Sequence, residues 1–102
     1  SGCVSWDMDG TLLHPGDICA QVEAVYADVD ATLRACGMGA RNVVKETIFT
    51  TDMDALVAAN AVRLGYYRGA TPPASTWIEV RRLVDPGMLL EVEVIAVRSS
   101  GR

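Results

Sequence analysis

The chain has 102 residues and a mass of 10.9 kDa, enough for one small domain, residues 1–98, and too little for a two-domain enzyme or a large cofactor fold. Half of its residues are apolar and 22% are charged, which fits a globular chain and not a disordered one. The net charge of −4 works against phosphate backbones, so no nucleic acid partner is expected, and the longest apolar run, Ala55 to Ala59, is far too short to span a membrane.

Residues 1–6 read as a strand, followed by a turn at Asp9-Gly10 and a break at Pro15-Gly16. Asp17 is placed to cap a helix whose apolar stripe runs Ile18, Val22, Val25, Val29, Leu33 and Cys36. Gly37 and Gly39 end it. Asn42 to Thr51 alternates β-branched and polar residues and predicts a strand. Asp52 or Asp54 caps a second helix with a stripe of Met53, Val57, Ala61 and Leu64, and Leu56, Asn60 and Tyr67 alongside. Ser75 to Leu83 and Met88 to Val97 read as two strands around an Asp85-Pro86-Gly87 turn and are expected to pair as a hairpin. Residues 99–102 form a flexible tail. The order implies an α+β layer with helices on one face of a sheet. Apolar content this high in so small a domain also predicts self-association.

Three cysteines without a CxxC spacing argue against a disulfide framework or a zinc knuckle and are expected as buried free thiols in a reducing, cytoplasmic setting. The single histidine, His14, is expected in a surface loop, and no metal site is expected. Asp7-Met8-Asp9-Gly10-Thr11 matches the DxDGT string of haloacid-dehalogenase-type phosphatases, where paired carboxylates perform magnesium-dependent phosphoryl transfer. That chemistry also needs a later lysine and a second acidic pair. Lys45, the only lysine, sits inside a strand pattern, so Asp9-Gly10 is read as a bend.

The closing strand carries a second acidic pair. Alternation puts Leu90, Val92, Val94 and Ala96 on one face, and Glu91, Glu93 and Ile95 on the other. The two carboxylates would stand roughly 6–7 Å apart. In a partly dry place such a pair raises its own pKa and suits proton transfer; in water it is a solvated face that pairs with Arg81, Arg82 or Arg98. Trp77, Tyr66 and Tyr67 suit either a pocket or a core. Asn60 is out of place inside a helix and calls for a hydrogen-bond partner or solvent.

Together these segments resemble the Rid family, also called YjgF or L-PSP. Residues 42–54 look like its central strand and turn, and Asn60 falls on a helix Asn of that family. Residues 73–80, Pro-Ala-Ser-Thr-Trp-Ile-Glu-Val, resemble its Pro-Ala-Arg-Ser strand, and residues 91–97 its closing Glu-Ile-Glu-Ala-Ile-Ala-Val. Ser1-Gly2 matches an early Ser-Gly. The resemblance implies a chorismate-mutase-like α+β fold in a homotrimer, with clefts between subunits that hydrolyse reactive imines and enamines without a cofactor. It implies a water-positioning role for Glu91 and a pocket of Gly2, Asn60, Ser75, Thr76 and Trp77.

Two departures stand out. Ser75 occupies the position of the family's substrate-binding arginine and cannot form a bidentate bond to a carboxylate. Arg68, Arg81 and Arg82 are the other arginines considered for that role. The family's usual N-terminal strand has no counterpart before Ser1. Three readings follow: the strand precedes this stretch, the chain is natively short after loss of Met, or it has been cut before Ser1. In the last, the Ser1 amine, of pKa near about 7.7–8.0, is a competent base for its own hydroxyl and makes Ser1 a nucleophile. The expected function is hydrolysis of a small imine, enamine or related metabolite. The alternatives are a metabolite-binding or regulatory trimer without chemistry, and a self-processed serine hydrolase using Ser1.

Overall fold

A computed structural model of the protein describes Thr11 and residues 14–98. The strand expected at residues 1–6, the Asp9-Gly10 turn, Ser1, Gly2, Cys3, the DxDG run and the tail 99–102 lie outside the described residues.

The first helix, α1, spans Ile18–Ala35 and begins where the sequence places it. The Asp17 carboxylate accepts a bond from the Ala20 N–H at 3.1 Å and satisfies one of the unpaired donors of the first turn. Val22, Val25, Tyr26, Val29 and Leu33 form its buried stripe. Gly37, at φ +75°, takes the left-handed turn that stops the helix. His14 is exposed in the turn before α1, as expected. The cysteines differ from expectation. Cys19 lies one residue round from the stripe and Cys36 caps the helix end, so both are exposed free thiols.

The strand β1, Val43–Thr50, follows a short 3-10 turn at Ala40–Asn42. Where one continuous second helix is expected, two short ones form: α2 at Met53–Ala58 and α3 at Asn60–Tyr66. Asp52 caps α2 through the Ala55 N–H at 3.1 Å, and Glu79 reaches across from the sheet to accept the Met53 N–H at 2.9 Å. The break at Ala59 rotates the buried line. Leu56, Ala59, Arg63 and Tyr67 point inward, whereas Val57 and Leu64 of the expected stripe are exposed.

The strands β2, Ala74–Glu79, and β3, Leu90–Ala96, flank β1 on opposite sides in the order β2-β1-β3. β2 runs parallel to β1 and β3 antiparallel. The expected hairpin between the last two strands therefore does not form. With α2 and α3 as a crossover, β2 returns parallel to β1, and β3 takes the opposite edge of β1. β2 also stops at Glu79, short of the expected Leu83. Asn42 fixes the β3 pairing: its backbone accepts the Val97 N–H at 2.8 Å and its amide donates to the Val97 carbonyl at 3.0 Å.

The helices cover one face of this α+β sheet. Ile48, Leu90 and Val92 pack there against Val22, Val25, Val29 and Leu56. By register, the other face carries Thr47, Phe49, Thr76, Ile78, Glu91 and Glu93.

Candidate functional site

Glu46 stands on the covered face of the central strand, 1% exposed, two residues before the buried Ile48. A carboxylate there is tolerable only if its lone pairs are filled and its charge is matched. Both conditions are met. Oε1 accepts from the Tyr26 hydroxyl at 2.6 Å and the Tyr67 hydroxyl at 2.9 Å. Oε2 accepts from Arg63 Nε at 2.6 Å and Ser75 Oγ at 2.8 Å, and pairs with Arg63 Nη2. Arg63 Nη1 donates to Asn60 Oδ1 at 3.1 Å. The guanidinium lies 5.5 Å from the Tyr67 ring centre and 5.4 Å from that of Trp77. Trp77 Nε1 in turn donates to Ser75 Oγ at 2.7 Å.

These partners come from four elements. α1 supplies Tyr26, β1 Glu46, β2 Ser75 and Trp77, and α3 Asn60 and Arg63, with Tyr67 at its end. The parallel register sets Ser75 opposite Glu46 and Trp77 opposite Ile48, so both side chains share the covered face. Ser75 is exposed, and Asn60 and Trp77 are half-buried, so the cluster reaches solvent at these three residues.

Burial, with the Glu46 charge adding to it, pushes both the Tyr26 and Tyr67 hydroxyls far above the ordinary tyrosine pKa. For Arg63 burial disfavours the cation. The hydrogen bonds and charge of Glu46 more than offset this, and its pKa is raised. Arg63 therefore stays a cation beside Glu46.

The site residues expected from the sequence divide between the two faces of the sheet. Asn60, Ser75 and Trp77 come together around the Glu46–Arg63 pair. Thr76 and Glu91 do not join them: Thr76 pairs with Thr47 and Glu91 with Phe49 in register, on the uncovered face. Glu91 is half-buried, and among the described residues its carboxylate makes no hydrogen bond. Glu93 beside it is exposed, so the pair is not enclosed within one chain. Arg68, Arg81 and Arg82 are all exposed, and the arginine beside Ser75 is Arg63. Among the described residues no three His, Cys, Asp or Glu side chains gather as metal ligands, and no helix is long and apolar enough to cross a membrane.

Sequence reading missed Glu46, Arg63 and Tyr26. The signal was available for Glu46, which shares strand parity with Ile48 and Thr50 and so had to face the core. An acid there requires a buried cation. Arg63 and Arg68 both occur in the following segment, and only the break at Ala59 decides which faces inward.

The family model Ribonuc_L-PSP, described as Endoribonuclease L-PSP, matches residues 1–98. Over 87 residues the chain is 37% identical to the RutC family protein slr0709 of Synechocystis, covering 85% of this chain and 66% of that one. It is 34% identical over 86 residues to the 2-iminobutanoate/2-iminopropanoate deaminase of Escherichia coli K12, covering 82% and 66%. The chain thus spans just under two thirds of the length of these curated relatives. Among solved structures it superposes on E. coli TdcF with bound serine at a TM-score of 0.87 and 30% identity, covering 97% of this chain and 78% of that one. The Rid protein YyfB of Yersinia pestis gives 0.86 at 33% identity, covering 94% and 74%. With nearly the whole sequence matched and the fold shared, the chain belongs to the Rid (YjgF, L-PSP) family.

Proposed function

We propose that the protein hydrolyses a small reactive imine or enamine to a carbonyl compound and ammonia, in a cleft completed by a second copy of the chain in a homotrimer. The observation that carries this reading is the convergence of Asn60, Ser75 and Trp77 at the solvent end of one polar cluster, in a chain similar to an E. coli imine deaminase. Glu91 supplies the other half. On the uncovered face it is open to accept a hydrogen bond from water and aim the oxygen at the imine carbon. Water adds across C=N, its proton passes to nitrogen, and the carbinolamine collapses to C=O with loss of ammonia. Since Glu91 and the Ser75 cluster lie on opposite faces of one sheet, they serve one substrate only if Glu91 of one subunit faces Ser75 of the next. Gly2 and Thr76 complete the proposed pocket. No metal or organic cofactor enters these steps.

The test is ammonia release from freshly generated imines above the spontaneous rate. Glu91→Gln is expected to lower kcat by about 10²-fold or more, the span of a lost general base, with the fold intact. Equal rates for the variant and the parent would remove Glu91 from the mechanism. A second reading, a metabolite-binding trimer without chemistry, is favoured by Ser75 at the arginine position. Ligand-induced stabilisation without turnover would select it. A ribonuclease role is opposed by the net charge of −4. The Ser1 nucleophile reading is tested by Ser1→Ala, which abolishes activity only if that reading holds.

A further inference from the structure

The Glu46 cluster bears on which imines the cleft accepts, an inference that rests on the imine-hydrolase reading and narrows its substrate class. Proteins bind a small carboxylate with an arginine fork and hydroxyl donors in a place shielded from water. The described residues contain such a set: the Arg63 guanidinium and the hydroxyls of Tyr26, Tyr67 and Ser75. All four donate to Glu46. The protein's own carboxylate therefore takes the whole donor set.

The remaining surface of Arg63 is also committed. The Nε–Nη2 edge is on Glu46, Nη1 is on Asn60, and the Tyr67 and Trp77 rings lie within 5.5 Å of the guanidinium carbon. A ligand carboxylate arriving at Ser75 would find the Arg63 cation already matched, with Glu46 Oε2 2.8 Å behind the Ser75 hydroxyl oxygen. With the Ser75 proton on Glu46 and the Trp77 N–H on Ser75, the mouth offers instead the Asn60 Nδ2 amide as a donor and the Ser75 oxygen as an acceptor, which suit an uncharged carbonyl and an imine N–H. We propose that Glu46 is a built-in carboxylate that occupies Arg63 and restricts the cleft to imines and enamines with no carboxylate on the reacting carbon.

Pyruvate and pyruvamide test this, being ketones of nearly equal size with and without the charge. Binding is read from the Trp77 indole N–H resonance. The full chain is expected to bind pyruvamide at least about tenfold more tightly than pyruvate, a difference of about 1.4 kcal/mol. Glu46→Gln keeps the side-chain size and leaves the Arg63 charge unmatched, so pyruvate affinity rises about tenfold or more. Adding Arg63→Met to that variant abolishes the gain. Glu46→Ala removes the same charge and frees the same Arg63 edge; it produces the same gain and serves if Glu46→Gln does not fold. Pyruvate bound by the parent at least as tightly as pyruvamide, or no gain in either variant, overturns the proposal. Imine turnover separates this from the underlying reading. No turnover of any imine, with the affinities as expected, rejects the hydrolase and keeps the role of Glu46. Equal turnover of 2-imino acids and carboxylate-free imines keeps the hydrolase and overturns the proposal.

Discussion

A single buried acid organises the polar interior of this domain. Tyr26 and Tyr67 are 3% and 2% exposed, and their hydroxyls are bound to Glu46 Oε1. Burial opposes ionising either, and a second anion would also stand against the first, so both pKa values are raised. The sign of the pH dependence follows. In the unfolded chain these tyrosines titrate near about 10. Below that, both states hold the protons and the stabilisation is fully present. Above it, the unfolded chain releases protons that the folded one keeps, so stability falls as pH rises toward the raised folded values. Each tyrosine contributes a slope of up to about 1.4 kcal/mol per pH unit. Urea midpoints at pH 8, 9 and 11 should be level over the first interval and drop over the last. Tyr67→Phe, less stable at pH 8 by about 1.5–3 kcal/mol for a lost bond to a charged acceptor, should show a shallower alkaline fall. A parent whose stability stays flat to pH 11 would contradict the packing of both hydroxyls on Glu46.

Among the elements, α1 and β1 were legible because each follows one rule throughout. α1 has a cap, a stripe and a terminating glycine, and β1 has β-branched alternation. The segment from Met53 to Tyr67 was harder, since α2 and α3 each offer only two turns. Its exposed Val57 and Leu64 imitate a stripe, while the true inner line contains Arg63, which hydropathy assigns to solvent. The partner of β3 was not readable from local pattern either: an Asp-Pro-Gly turn between two strands suits a hairpin, and only the parallel return of β2 excludes it. Of the Glu46 cluster, Asn60, Ser75 and Trp77 were reached through family likeness, while Glu46 needed parity and burial together. Another buried polar residue, Gln21, sits within the α1 stripe and holds the segment between β2 and β3. Its amide donates to the His14 carbonyl at 2.9 Å and the Gly87 carbonyl at 2.8 Å, and its oxygen accepts the Leu89 N–H at 2.8 Å. Gln21→Leu, similar in size, leaves all three without that partner and should cost about 2–3 kcal/mol in urea unfolding. Because Leu89 leads into β3, imine turnover should fall as well, through misplacement of Glu91. A variant as stable as the parent would show that solvent replaces these bonds.

At the scale of the whole molecule, the unequal faces of the sheet decide what one copy can do. The covered face carries the core and the Glu46 cluster; the other presents Ile78 and Ile95, 40% and 57% exposed, beside Phe49 and Glu91. Exposed apolar groups around a carboxylate on a flat sheet face suit burial against another copy. If that burial builds the trimer, assembly and catalysis fail together. The chain alone should give a mass near 33 kDa in light scattering, three times its 10.9 kDa, and Ile95→Asp should shift it toward the single-chain value. Ile95 pairs with Lys45 in register and has no role in the proposed chemistry, yet its variant should lose imine turnover to the degree that it dissociates. Raising the protein concentration should restore both mass and activity by mass action. A dissociated variant with undiminished turnover per chain would mean that Glu91 and Ser75 do not act on one substrate, and would leave the Ser75 side of the sheet as a site complete within one copy.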